Sequence, residues 1–263
     1  MHDLIIKIFV FIFGAIVGSF LNVCIYRMPK EESIVMPRSH CPNCNSIIYW
    51  YDNIPILSFI ILRARCRFCQ KPISVRYPIV ELLTAIVLVL LYNYFGLGFK
   101  FFAYSLFICG LIVATFVDIA HRIIPDEISI GGIVLGFILS IVFPQLQNEQ
   151  MRLWAGFQSL LGILIGGGII YLTGVLGDFI FKKETMGGGD VKLLAMIGAF
   201  FGWKIALMTF FVAPFFGLIV GVIVLIRTKD HLIPYGPFLS LAAVVSVFYF
   251  DKIINFIFVN CRY

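Results

Sequence analysis

With 263 residues, 61% of them hydrophobic and 13% charged, the chain departs from the composition of a soluble globular domain, which is nearer half apolar and a quarter charged. Its apolar residues form long uncharged runs without the dyad alternation of strands, which excludes an outer-membrane barrel and leaves an all-α polytopic membrane protein. The +6 net charge asks for no nucleic-acid partner, because most of the bases gather on one set of loops.

About 18 consecutive apolar residues suffice to cross the hydrocarbon core as a helix. Eight spans are predicted, at 4–26, 78–95, 99–118, 127–144, 154–181, 191–202, 205–226 and 236–258, the sixth being the shortest. The first span carries its bases mainly after it, beginning with Arg27 and Lys30. It therefore reads as a retained helix with its start outside, and not as a secretory signal. Threading from that start puts residues 27–77 in the cytoplasm, with Arg27, Lys30, Arg38, Arg63, Arg65, Arg67, Lys71 and Arg76 against Glu31, Glu32 and Asp52. Arg122, Lys182, Lys183, Lys192, Arg227 and Lys229 fall on the same side, and Lys100, Arg152, Lys204 and Lys252 on the other. Fourteen bases against four orient the chain by the positive-inside rule.

Two units are expected: residues 1–77, a helix with a basic loop, and residues 78–263, a transmembrane bundle. Gly14 and Gly18, four apart, and the run Gly166-Gly167-Gly168 read as surfaces for close helix packing.

Within the loop stand Cys41-Pro-Asn-Cys44 and Cys66-Arg-Phe-Cys69, two knuckles about twenty residues apart. That spacing matches a four-cysteine zinc site of zinc-ribbon type. Four sulfur ligands leave no open position for water, so the metal is expected to shape the loop and not to catalyse. The alternatives are two disulfides or four unrelated thiols, and a reducing cytoplasm disfavours the first. Cys24, Cys109 and Cys261 lie in or beside apolar spans and read as packing residues.

Ionisable residues at membrane depth are costly, roughly 2.5–3.5 kcal/mol each, and ask for a reason. Asp118 ends the third span and Asp190 follows Gly187-Gly188-Gly189, both on the cytoplasmic side of the threading. Two carboxyls sharing one proton are the minimum equipment of an aspartic protease: one polarises the scissile carbonyl, the other takes a proton from water. Structural readings stand beside this one. Asp190 has the form of a helix N-cap, and Asp118 could pair with Arg122 one turn on. Asp126 reads as the N-cap of the fourth span, Asp178 as a partner of Lys182, and His121 as an interfacial residue.

Further stretches carry a resemblance. Gly18-Ser-Phe-Leu-Asn-Val-Cys-Ile-Tyr-Arg27-Met-Pro29, the two cysteine knuckles, Arg76-Tyr-Pro-Ile-Val-Glu81, Asp118, Gly187-Gly188-Gly189-Asp190 and Pro234-Tyr-Gly-Pro-Phe238 together resemble the type IV prepilin peptidases. The resemblance covers nearly the whole chain. It implies an enzyme of the bacterial inner membrane that cuts the basic leader from prepilins or pseudopilins at the cytoplasmic face, with Asp118 and Asp190 as catalytic pair. It also implies N-methylation of the new amino terminus from S-adenosylmethionine, assigned to the 1–77 unit. No soluble-type glycine-rich nucleotide fingerprint is present, so the methyl-donor site does not follow from the chain, and Glu81 and the 18–27 segment stand as candidates. The rival readings are a presenilin-like intramembrane protease, a zinc-stabilised scaffold of a pilus or secretion machine, and a transporter.

Overall fold

The computed structural model describes residues 2–182, 186–228 and 234–260, the side chains of 222–228 and 257–260 excepted. The bases Lys183 and Lys229, the Arg227 side chain and Cys261 lie outside the described residues. Eight α-helices follow one another: α1 His2–Arg27, α2 Leu57–Ile61, α3 Arg76–Phe95, α4 Phe99–His121, α5 Asp126–Val142, α6 Arg152–Phe181, α7 Gly188–Thr228 and α8 Gly236–Asn260. Among the described residues there is no strand, and six helices are long and apolar enough to cross a membrane. The chain is a multi-pass membrane protein. The helices pack as two compact units, Met1–Val113 and Ala114–Tyr263.

In the first unit α1 lies against α3. A Cβ at Gly14 would stand 2.7 Å from the Ala85 Cα, and one at Gly18 2.6 Å from the Glu81 Cα, so the two glycines let the backbones touch. Cys24 and Cys109 are buried thiols, as expected of packing residues.

In the second unit α5, α6, α7 and α8 form the bundle. The 41 residues of α7 are not one rod, for Gly202 stands at φ 79°, ψ 175°. A Cβ on Gly166 of α6 would meet the Leu194 carbonyl oxygen at 2.6 Å and the Ala206 Cβ at 3.3 Å. Residues 194 and 206 of a straight helix would be about 18 Å apart, so the chain doubles back at Gly202. Its two arms, 188–201 and 203–228, are the sixth and seventh predicted spans. Together with the 17-residue α5, they reconcile the predicted eight with six full-length helices.

A reversal inside an apolar bundle frees carbonyls that lipid cannot satisfy. Here Ala199 O accepts from Ser140 Oγ at 3.0 Å, Ser159 Oγ at 2.7 Å and Gln147 Nε2 at 3.1 Å, and Phe200 O accepts from Gln147 Nε2 at 3.1 Å. Polar side chains of α5, α6 and the turn between them thus hold the hairpin closed.

Candidate functional site

Two clusters carry chemistry, one in each unit.

The first is built by two short hairpin-like knuckles of the same construction. Cys41 N–H donates to Ser46 O at 3.0 Å and Asn45 N–H to Cys41 O at 2.9 Å; Cys66 N–H donates to Lys71 O at 2.9 Å and Gln70 N–H to Cys66 O at 3.0 Å. Asn45 and Gln70, each next after the second cysteine of its knuckle, take the left-handed conformation that closes the turn (φ 56° and 57°). The four sulfurs lie within 4.8 Å of one another, with Cys41–Cys69 at 3.9 Å and Cys44–Cys66 at 4.0 Å. A tetrahedron with Zn–S bonds of about 2.3 Å has edges of about 3.8 Å, so the donor set fits that ion. The expected cluster is assembled, and all four thiols are unbridged. A hydrogen bond from Ser46 holds the Cys44 thiol down at about 6, and the N–H groups of Cys69 and Phe68 lower that of Cys66. The Lys71 N–H favours the Cys69 thiolate, but burial and the neighbouring sulfurs outweigh it and push that thiol up to about 11. Arg67, between the second pair of cysteines, grips Asp52 with Nε at 2.7 Å and Nη2 at 2.5 Å, tying the knuckle to the turn at 50–53.

The second cluster stands at one end of the bundle. Asp118, 6% exposed near the end of α4, accepts the Gly236 N–H on Oδ2 at 2.8 Å. The Arg122 guanidinium, one turn on, contributes to the field at this carboxylate. Asp190 is the third residue of α7, inside the first turn and beyond the capping position, with its N–H on Gly187 O at 3.1 Å. Its carboxylate lies in the field of Asp118. Burial first, and then the charge of Asp190, push the Tyr235 phenol up to about 12. Gly236 thus bonds one carboxylate, and its neighbour Tyr235 feels the charge of the other. A Cβ at Gly236 would stand 2.8 Å from Asp118 Oδ2, so the close approach needs glycine.

Asp126 departs from its expected role. Pro125 occupies the capping position of α5 with no side-chain cap, while Asp126 in the first turn bonds Lys192 Nζ at 2.6 Å. The pairing of Gly236 with Asp118 was not read from the sequence. The motif Pro234-Tyr-Gly-Pro-Phe238 was its only local signal.

A cysteine-knuckle unit followed by a helical bundle with two neighbouring carboxylates defines a multi-pass membrane protein of bipartite build. Residues 12–95 match the Bacterial Peptidase A24 N-terminal domain, and residues 105–222 match the Type IV leader peptidase family. The chain is 32% identical to a Prepilin leader peptidase/N-methyltransferase of Legionella pneumophila, over 93% of this chain and 91% of that one. It is 31% identical to the protein of the same name from Pseudomonas aeruginosa, over 96% and 93%. It is 38% identical to that of Myxococcus xanthus over 84% of this chain, though only 64% of the Myxococcus protein's length is spanned. The chain belongs to the type IV leader peptidase family. No solved structure matches it.

Proposed function

We propose that the protein cleaves the leader peptide from prepilins or pseudopilins at the cytoplasmic face of the inner membrane, with Asp118 and Asp190 as the catalytic pair, and methylates the amino terminus it exposes. The observation that supports the peptidase reading is that Asp118 and Asp190, 72 residues apart in sequence, lie in one another's field, with Asp118 bonded to the Gly236 N–H. The distribution of bases supports the cytoplasmic orientation.

In the reaction the protonated carboxyl hydrogen-bonds the scissile carbonyl, and the ionised one removes a proton from a water held between them. The water oxygen bonds the carbonyl carbon, and the C=O π pair moves to oxygen. As that pair returns, the C–N bond breaks, and a carboxyl proton passes to the leaving nitrogen. A leader carboxylic acid and a free amine result, and the pair recovers its single proton. Gly236 N–H steadies Asp118 in a fixed orientation throughout.

The first unit serves the second activity. Cys41, Cys44, Cys66 and Cys69 would hold a zinc ion that folds the loop, and S-adenosylmethionine supplies an electrophilic methyl group.

Co-expression with a candidate prepilin, followed by mass spectrometry of the mature amino terminus, tests both activities together. Asp118→Asn and Asp190→Asn should each lower cleavage at least about a thousandfold. Normal cleavage by either variant would reduce the protein to a scaffold with an incidental acidic pair.

A further inference from the structure

The loop between α1 and α3 carries the short helix α2 with an apolar face turned outward. Leu57, Ile60 and Ile61, spaced as one side of a helix, are 55%, 64% and 72% exposed. Ser58, on the other side, is buried and donates its Oγ–H to Tyr51 O at 3.1 Å. Trp50, on the turn that Ser58 holds, is 81% exposed. The stretch 54–65 contains no acid and ends on Arg63 and Arg65, both exposed. Single apolar side chains on a surface need no explanation, but a set of them along one helix face does.

A tether fixes the depth of this helix. The Ile56 N–H, just ahead of α2, donates to Glu81 Oε2 at 2.7 Å, and the same buried carboxyl accepts from Ser19. The 20 residues of α3 run about 30 Å, no more than the hydrocarbon core they cross. Arg76, the first of them, thus marks the boundary of that core, and Glu81 lies about 7.5 Å inside it. Interfacial helices bury their apolar faces about 5–10 Å, where headgroups give way to acyl chains. The loop dips to that depth at residue 56.

The backbone suits such a place. Ile56 stands at φ 63°, ψ −50°, with Leu57 N–H on Pro55 O at 2.6 Å, a γ-turn that redirects the chain beside Glu81. Residues 56, 57, 58, 60 and 62–65 each have their N–H on an acceptor within the chain, so little of the main chain asks for water.

We propose that α2 lies inserted in the plane of the cytoplasmic leaflet, with Leu57, Ile60 and Ile61 among the upper acyl chains and Arg63 and Arg65 on the phosphates of anionic phospholipids. Trp50 sits at headgroup level, where amphipathic rings are favoured. The proposal goes beyond the two activities and takes from the function above only the side of the membrane. Two observations commit it to lipid: an outward apolar face at that depth meets acyl chains, and an acid-free stretch ending in two guanidiniums complements an anionic surface. Cys66 follows directly, so the anchor also holds the second cysteine knuckle at the membrane surface.

The test is depth-resolved quenching of a tryptophan placed at Ile60, in the full-length protein held one chain per lipid nanodisc. Trp50, Trp154 and Trp203 are replaced by phenylalanine, with bound zinc and thermal melting reporting the fold. If that background fails to fold, the difference between Ile60→Trp and wild type is read instead. The discs mix phosphatidylglycerol and phosphatidylcholine, brominated near the ester end of the acyl chain or near its methyl end. Shallow bromines should quench the Ile60→Trp emission at least about twofold more than deep ones, as an interfacial depth requires. Carried on phosphatidylglycerol, they should quench at least about twofold more than the same fraction carried on phosphatidylcholine. Equal quenching by the two headgroups overturns the role given to Arg63 and Arg65. Unquenched, red-shifted emission puts Ile60 in water, and unquenched, blue-shifted emission puts it under protein. Either overturns the insertion, as does stronger quenching by the deep bromines.

Discussion

The main-chain N–H of Gly236 donates to Oδ2 of Asp118 at 2.8 Å, joining residues 118 positions apart. A side chain cannot be added there without displacing the carboxylate, because the first carbon would already stand 2.8 Å from Oδ2. Gly236→Ala should therefore lower leader cleavage about ten- to a hundredfold, the range expected when a hydrogen bond to a charged group is lost. Gel-based processing assays at equal zinc content check this, and wild-type rates in the variant would show that Asp118 needs no such support.

The hairpin at Gly202 is held by Gln147, which donates to the Phe200 carbonyl at 3.1 Å and to the Ala199 carbonyl at 3.1 Å. Gln147→Leu should destabilise the bundle by about 1–3 kcal/mol, the range for losing hydrogen bonds to two buried carbonyls. Ser159→Ala should cost less, since Ala199 O keeps Ser140 and Gln147 as donors. Thermal unfolding in detergent gives the order, and equal melting temperatures for the two variants would contradict it.

The cysteine cluster should take one zinc ion per chain, with an affinity that rises with pH. At neutral pH Cys44, at about 6, is mostly ionised, while Cys69, at about 11, still holds its proton, which binding must expel. Each proton released contributes about tenfold in apparent affinity per pH unit. Below about 6, Cys44 adds its own proton and the slope steepens. Competition with a chromophoric chelator measures this, and a flat profile would argue against thiolate ligation.

The brace between Arg67 and Asp52 also weakens on acidification, but in a lower pH range. Its hydrogen bonds to Arg67 hold the Asp52 carboxyl below the usual carboxylate value of 3.8. A lowered value in the folded state means that the contribution is complete above the ordinary value and disappears as the pH falls through the lowered one. Asp52→Asn should speed hydrogen exchange at 50–53 and 66–69 a few-fold at neutral pH, in keeping with a pair whose arginine is half-exposed. No difference between variant and wild type at pH 7 would count against the brace.

The spans were legible because length and hydropathy are local properties: even the division near 202 shows as a glycine followed by Trp203 and Lys204 in an otherwise apolar run. The knuckles were legible because ligand spacing is local too. What the chain hid was long-range. Nothing about Gln147 announces that it will meet carbonyls more than fifty residues onward, and Asp126 looks like a cap until Lys192 comes within 2.6 Å of it. The bond from Gly236 to Asp118 is of the same kind, fixed by how helices pack and not by any period in the sequence.

The reversal at Gly202 also settles a matter of parity. An unbroken rod of 41 residues would run about 62 Å, twice the hydrocarbon thickness, and would deliver its far end to the opposite leaflet. Folded on itself, the segment returns its exit to the side from which it entered. Only for that reason can residues 235 and 236, which follow it, reach aspartates that precede it. A single glycine angle thus decides on which surface of the membrane the enzyme can be complete.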